Sequence, residues 1–217
     1  MEIELDAVEA RVLGALMEKS ALTPDQYPLT LNALTNACNQ KSSREPVMAL
    51  DSGTVQHTLR RLEARHLVSS KEDFRGRAER YSQRFCNTPF GELALTPAEF
   101  ALVTVLLLRG AATPGELRAR SASLHAFADN DAVTATLEAM MNRPGTALVA
   151  RLPRAPGRRD HEYMHRLCGA VDSVPADAAP VASPGESTPD RLAALEARLE
   201  QVERELAALK ARTPKGV

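Results

Sequence analysis

The sequence has no tryptophan, few cysteines and no apolar run long enough to cross a membrane. Its longest such run, residues 102–108, is bracketed by Glu99 and Arg109, whereas a spanning helix needs about 20 predominantly apolar residues. We therefore expect no membrane-spanning segment. The first residues after Met1 alternate between acidic and apolar and lack the basic start and apolar run of an export signal, so we expect a cytoplasmic protein.

Cysteine occurs at three widely separated positions, Cys38, Cys86 and Cys168. An odd number of cysteines without a paired spacing is typical of neither a disulfide framework nor a zinc site. We expect all three to be small residues of the core.

An excess of charge of one sign is also lacking, because 27 Lys and Arg residues stand against 28 Asp and Glu residues. Such a chain has no global field that attracts nucleic acid, so any such contact has to come from a local basic patch. The sequence also lacks a glycine-rich phosphate loop, a nucleophile motif and a metal-ligand spacing among its histidines. We therefore expect no enzymatic activity and no cofactor.

The composition changes after residue 169. Residues 170–189 hold four prolines and no aromatic residue, which predicts a flexible linker. In residues 190–212, apolar side chains recur at alternating spacings of three and four, which predicts an amphipathic, coiled-coil-like helix. This helix either packs back on its own chain or pairs with a partner protein or a second copy. The seam consists of Leu192, Leu195, Leu199, Val202, Leu206 and Leu209.

An internal repeat occupies the rest of the chain. Residues 5–16 align with residues 95–106 at an offset of 90, and residues 55–62 align with 133–140 at an offset of 78. The change of offset places an insertion before the third helix of the first repeat. We predict a first domain at residues 1–90 and a second at 91–169, called the first and second repeat below.

Helix starts repeat as well. A capping box, in which an Asp or Thr is followed three residues later by Glu or Gln, satisfies the free amides of a helix start. The sequence predicts four such boxes, at Asp6 with Glu9, Thr23 with Gln26, Thr96 with Glu99 and Thr113 with Glu116.

Each predicted third helix is followed by a strand, a basic turn containing glycine and a second strand. These strands are predicted at residues 67–70 and 80–83 and at residues 148–152 and 161–167. Three helices and then a two-stranded hairpin is the order of the winged helix-turn-helix. The predicted fold is α+β and mainly helical, with two tandem winged helix-turn-helix domains and a C-terminal heptad helix.

Three strings, residues 23–48, 80–87 and 106–120, resemble the bacterial YceH-type family of uncharacterised proteins. The resemblance covers most of residues 5–168 and excludes the linker and the terminal helix. It implies a tandem winged-helix fold without an established biochemical activity, and a fold of this kind hosts many functions.

In a winged helix that binds DNA, the third helix enters the major groove and the hairpin contacts phosphate. On the third helix of the first repeat, Gln56, Arg60 and Arg61 are placed to reach bases. Arg75 and Arg77 in the hairpin turn are placed to hold phosphates. The alternative is that these residues form a solvated, salt-bridged face.

The insertion of the first repeat, residues 39–48, is rich in hydrogen-bonding side chains and lies where the motif approaches the DNA backbone. Lys41 and Arg44 are therefore further candidates for phosphate contacts. The alternative is a packed loop in which side chains such as Asn39 satisfy buried backbone groups.

The third helix of the second repeat, residues 129–142, lacks Lys and carries no Arg, so it should repel phosphate. Its hairpin nevertheless offers a secondary basic patch of Arg154, Arg158 and Arg159. This asymmetry predicts DNA binding by the first repeat. The alternative function is a protein–protein adaptor that uses the second domain and the C-terminal helix.

Overall fold

The structure, a computed structural model, describes residues 3–73, 76–89, 93–144, 147–154 and 160–169. Within these ranges it contains both α-helices and antiparallel strands, which confirms the mixed helix and strand composition.

The first repeat has three α-helices, a short 3-10 helix and three strands. In chain order these elements are α1 (Ala7–Leu22), the 3-10 helix (Pro24–Gln26), β1 (Leu29–Thr30), α2 (Leu31–Cys38), α3 (Ser52–Ala64), β2 (Val68–Asp73) and β3 (Gly76–Gln83). The strands form an antiparallel sheet in the order β1-β3-β2. Strand β1 was not predicted, because two residues are too few to show an alternating pattern.

The second repeat has the same order of three helices and then a hairpin. Its elements are α4 (Pro97–Arg109), α5 (Pro114–Ser121), α6 (Asn130–Met141), β4 (Val149–Arg151) and β5 (Tyr163–His165). Ala112 forms an isolated antiparallel bridge with Tyr163, just as Leu29 of β1 pairs with Tyr81 of β3. The two halves of the body therefore agree in element order and in this third pairing of the hairpin.

Capping side chains set most of the helix starts. Complete capping boxes are present at Asp6 with Glu9, at Thr96 with Glu99 and at Thr113 with Glu116. Single side-chain caps come from Asp51 at α3 and Asp129 at α6. Three of the predicted boxes are thus confirmed. In each, the Asp or Thr side chain accepts the amide of the Glu, and the Glu side chain accepts the amide of the capping residue.

The predicted box at Thr23 is wrong. The Thr23 hydroxyl donates to the Lys19 carbonyl at 3.2 Å, so it ends α1 instead of starting α2. Pro28 lacks an amide hydrogen and disfavours a helical residue before it, so no helix can continue from Pro24–Gln26. Helix α2 begins later, with the Thr30 hydroxyl as its cap.

Helices α1 and α4 lie at the centre of the core. Residues 9–18 of α1 and 101–108 of α4 are buried, which is typical of helices surrounded by other elements. The helices pack closely at Gly14, where a Cβ atom would lie 3.0 Å from the Leu107 Cβ and from the Leu108 Cγ. The absence of a side chain at Gly14 therefore permits the approach of the two helices.

Backbone hydrogen bonds also connect the repeats. The Leu5 amide donates to the Leu167 carbonyl at 2.6 Å, and the Glu45 amide of the insertion donates to the Leu108 carbonyl at 2.9 Å. The described residues of both repeats belong to one compact unit. The two repeats are therefore connected across the predicted domain boundary.

The predicted linker at residues 170–189 and the predicted heptad helix at 190–212 lie outside the described residues. Within the described part, no helix is long and apolar enough to span a membrane.

The cysteine prediction is correct at two positions. Cys38 and Cys86 are buried, and burial raises the pKa of each thiol to about 12. Cys168 is exposed, so its assignment to the core was wrong. It lies beyond the end of β5, where the packed hairpin ends.

Candidate nucleic-acid interface

Helix α3 presents one continuous exposed row. The Asp51 side chain caps its start, and Val55, Leu59 and Leu62 are buried on its inner side. The opposite side is exposed at positions spaced by three and four residues, which is one face of a helix. This α3 row consists of Gly53, His57, Arg60 and Ala64.

The predicted base-reading residues Gln56, Arg60 and Arg61 differ in their exposure and in their partners within the protein. Arg60 is exposed in the α3 row, and Gln56 is half-buried beside it. Arg60 also lies close enough to Tyr81 of β3 for its charge to act on the tyrosine. Arg60 is thus an exposed cation of the third helix, the element that enters the major groove in a DNA-binding winged helix.

The acidic groups near Arg60 are engaged by the hairpin. The Glu63 carboxylate accepts the Ser70 amide at 2.8 Å, and the Tyr81 hydroxyl donates to Glu79 at 2.6 Å. Burial, followed by the bond to Glu79, raises the pKa of Tyr81, which keeps this hydroxyl a donor. The Glu63 contact therefore joins α3 to β2, whereas the contact between Tyr81 and Glu79 lies within β3.

Arg61 does not belong to the α3 row. Its guanidinium contacts the Asp6 carboxylate at 2.8 Å and the Glu9 carboxylate at 2.9 Å, both at the start of α1. Burial alone raises the pKa of Asp6, but hydrogen bonds from the Glu9 amide and Arg61 outweigh it and hold the pKa below its usual value. Arg61 was predicted to lie near bases, but in the structure it is paired with two carboxylates of the protein itself.

Arg44 is buried, which corrects its assignment as a phosphate ligand. Its guanidinium donates to both Glu18 carboxylate oxygens, at 3.0 and 2.7 Å. It also donates to the carbonyls of Ala37 and Ser43. Although burial raises the pKa of Glu18, its contacts with Arg44 outweigh this effect and hold it below the usual value. Arg44 therefore has a structural role, because its donors are directed into the protein.

A second buried arginine, Arg11, was missed. It is 2% exposed and donates to the carbonyls of Cys38 at 3.1 Å and Pro46 at 2.7 Å. Its signal in the sequence is an arginine between Ala10 and Val12 at the start of the apolar part of α1, two turns before Glu18 on the same side. Arg11 and Glu18 together hold the insertion against α1.

The insertion itself follows the packed-loop alternative. The Asn39 side chain accepts the Leu50 amide at 2.8 Å and donates to the Leu50 carbonyl at 2.7 Å. Lys41, Ser42 and Ser43 remain exposed on the outer side of the loop. Of the two cations predicted here, Lys41 alone is thus at the surface.

The hairpin of the first repeat adds an exposed cation that sequence analysis did not single out. Lys71 of β2 is exposed and lies directly opposite Arg80 of β3. Arg80 donates to the Pro28 carbonyl at 3.0 Å. The predicted phosphate ligand Arg75 lies outside the described residues, and for Arg77 the backbone alone is described.

Helix α6 presents a different surface. Its exposed positions carry two carboxylates and small or neutral polar residues, namely Asn130, Asp131, Ala135, Glu138, Ala139 and Asn142 just after its end. Arg154 is exposed, and its Nε donates to the His161 ring at 3.1 Å. Arg158 and Arg159, the rest of the predicted secondary patch, lie outside the described residues.

His161 and His165, four residues apart in the second hairpin, differ in their exposure to solvent. His165 is 2% exposed, and burial lowers its pKa to about 4. His161 lies near the surface, with its Nδ1 at 2.9 Å from the Leu152 carbonyl. Among the described residues, no group of three or more His, Cys, Asp or Glu side chains could hold a metal ion.

Comparison with known proteins places the chain among uncharacterised bacterial relatives. The family described as "Protein of unknown function, DUF480" matches residues 5–158. The chain is 50% identical to the UPF0502 protein YceH of Escherichia fergusonii over 212 residues, 98% of this chain and 95% of that relative. It is 47% identical to a UPF0502 protein of Cronobacter sakazakii over the same shares of both chains. The resemblance to the YceH-type family is thereby confirmed.

Proposed function

Since the chain belongs to the DUF480 family of proteins of unknown function, we propose a function from its own surface. It is a non-enzymatic protein of two tandem winged-helix units that binds duplex DNA through the first repeat. Helix α3 enters the major groove in this proposal, with Arg60 nearest the bases and Gln56 beside it.

The order of elements supports the tandem winged-helix assignment. In this motif a short strand before the second helix pairs with the hairpin, and three helices precede that hairpin. The β1-β3-β2 sheet has this topology in the first repeat. The bridge between Ala112 and Tyr163 is its counterpart in the second repeat.

The observation that carries the proposal is the contrast between the α3 row and the surface of α6. The α3 row contains a cation and no carboxylate, and Gly53 and Ala64 at its two ends are small. Small side chains allow a helix to approach the groove closely, and an arginine can bind guanine with two hydrogen bonds. Helix α6 instead exposes Asp131 and Glu138, which would repel phosphates.

Phosphate contacts come from the cations on either side of α3. Lys41 lies on the insertion before α3, and Lys71 lies on the hairpin after it, both exposed. Arg75 and Arg77 extend this set at the hairpin turn as predictions from the sequence. Contacts from both sides of the helix would fix its position on the duplex backbone.

The test is binding to random-sequence duplex DNA, measured by fluorescence anisotropy across a salt series. The double variant Lys41→Ala/Arg60→Ala is expected to bind about tenfold more weakly, with the log–log salt slope smaller by about 1, because Lys41 is the phosphate contact that it removes and each such contact contributes about 0.9. Arg166→Ala, which removes an exposed cation from the second repeat, is the control for loss of a positive charge and should retain wild-type binding. A double variant with unchanged affinity and slope contradicts the proposal.

A second candidate function follows from the surface of α6. A carboxylate-bearing, cation-free helix face fits a basic protein surface better than nucleic acid. In this reading, the second repeat and the predicted heptad helix together form a protein–protein adaptor. A partner that is captured by the full chain, and lost on Asp131→Asn/Glu138→Gln or on truncation at residue 170, would favour this function. Retention of every partner by these variants would count against it.

A further inference from the structure

We propose that the Asp6 carboxylate competes with a nucleic-acid phosphate for the guanidinium of Arg61. Arg61 is then a phosphate ligand that is paired with Asp6 in the free protein. The replacement of Asp6 by a phosphate at Arg61 modulates the affinity of the interface for DNA. This inference rests on the proposed function and concerns the regulation of the same site.

The contact between Arg61 and Asp6 lies at the surface. Nη1 of Arg61 donates to Oδ2 of Asp6 at 2.8 Å, and the two side chains are 47% and 44% exposed. Exposed ion pairs are weak and are screened by salt. A phosphodiester that reaches the same guanidinium can therefore replace the carboxylate.

The remaining contacts at this position tolerate the exchange. Glu9 is 1% exposed and cannot be left without a cation, but Arg65 contacts its other oxygen, Oε2, at 3.0 Å. Arg65 also donates to the Glu4 carbonyl at 2.7 Å, which holds it in place. The exchange concerns Nη1 of Arg61 alone, and Nη2 can stay 2.9 Å from Oε1 of Glu9, so neither oxygen of this buried carboxylate loses its cation.

The cap of α1 tolerates the exchange as well. Oδ1 of Asp6 accepts the amides of Val8 at 2.9 Å and Glu9 at 2.8 Å, whereas Oδ2 accepts from Arg61. The two functions of this carboxylate thus use different oxygens. Release of Arg61 leaves the capping hydrogen bonds intact.

The position of Arg61 on α3 suits a phosphate ligand. It follows Arg60 directly and lies one turn after His57, on the side of the α3 row that faces α1. When a helix lies in the major groove, the strand backbones run along its two sides, so residues that flank the base-reading row reach phosphates.

The test is a double-mutant cycle on the full chain, with random-sequence duplex DNA as the probe. Asp6→Asn removes the charge and retains the oxygen that caps α1, since Asn caps as well as Asp. It is expected to tighten binding about two- to fivefold, the range that corresponds to a surface ion pair. Arg61→Ala should weaken binding, and Asp6→Asn should have no further effect in the Arg61→Ala background.

The cycle separates competition for Arg61 from simple repulsion of DNA by Asp6. If Asp6→Asn tightens binding equally with and without Arg61, or in neither background, the inference is overturned. Asp129→Asn, which makes the same change at the Asp cap of α6 in the second repeat, is the control and should leave binding unchanged. Equal thermal unfolding midpoints of Asp6→Asn and the wild type would confirm that the cap is retained.

The outcome for Arg60 distinguishes the two proposals. Weaker binding by Lys41→Ala/Arg60→Ala together with a negative cycle would leave DNA binding in place and remove the role of Asp6. No effect of any of these substitutions would overturn both.

Discussion

The Arg44 guanidinium lies against the Glu18 carboxylate with two parallel hydrogen bonds of 3.0 and 2.7 Å, and its side chain is fully buried. This pair joins the insertion of the first repeat to α1. Two buried charges are costly to remove from water, and their mutual attraction offsets that cost only while both are present. The stability of the insertion therefore depends on the pair as a unit.

Glu18→Gln is expected to lower the free energy of unfolding by about 3 to 5 kcal/mol, because it leaves the Arg44 charge buried without its partner. The double variant Glu18→Met/Arg44→Met should lose less than the single variant, since neither charge remains to be compensated. Urea unfolding followed by circular dichroism measures both. A single variant as stable as the wild type would show that this pair does not hold the insertion.

Gly14→Ala is expected to destabilise the protein by about 1 to 3 kcal/mol, the usual cost of overpacking. The new Cβ would lie 3.0 Å from side-chain atoms of Leu107 and Leu108, so α1 and α4 would have to separate. The comparison is Gly115→Ala, whose Cβ would meet only the Asn130 amide nitrogen at 3.5 Å. That variant should gain up to about 1 kcal/mol from helix propensity. Thermal unfolding of both variants gives the difference, and equal midpoints would argue against a close crossing at Gly14.

His165 should make the stability depend on pH. Burial lowers its pKa from 6.5 to about 4 in the folded protein. As the pH falls below 6.5 the unfolded state binds a proton that the folded state does not, so stability decreases until about pH 4 and then levels off, by about 3 kcal/mol at most. His165→Asn keeps an acceptor for the Leu167 amide and removes the titration. Chemical denaturation between pH 4 and 7 should show a smaller pH slope for this variant, and identical slopes would exclude His165 as the cause.

Much of the fold could be predicted, because helix starts and apolar spacing are local signals. Asp6, Thr96 and Thr113 begin helices through side chains that lie three residues from their partners. Strand β1 could not be predicted, because its pairing with Tyr81 depends on a residue far away in the chain. The failure of the predicted box at Thr23 has a local cause, because the Thr23 hydroxyl turns back to the Lys19 carbonyl and donates no cap to the following residues.

The candidate site was less predictable, because the type of a cation does not reveal its partner. Arg60, Arg61 and Arg44 appear equivalent in the sequence. Arg44 pairs with a carboxylate 26 positions away, and Arg61 pairs with one 55 positions away. Only the folded chain brings these groups together, so a surface arginine and a buried one cannot be distinguished by composition.

The hydrogen bond from Leu5 to Leu167 brings the two ends of the described body side by side. A chain whose ends adjoin can be joined there and reopened elsewhere with little disturbance of its packing. The two repeats could therefore be produced in exchanged order, with the second preceding the first, by circular permutation. The new ends would best lie between β3 and α4, at the boundary between the repeats.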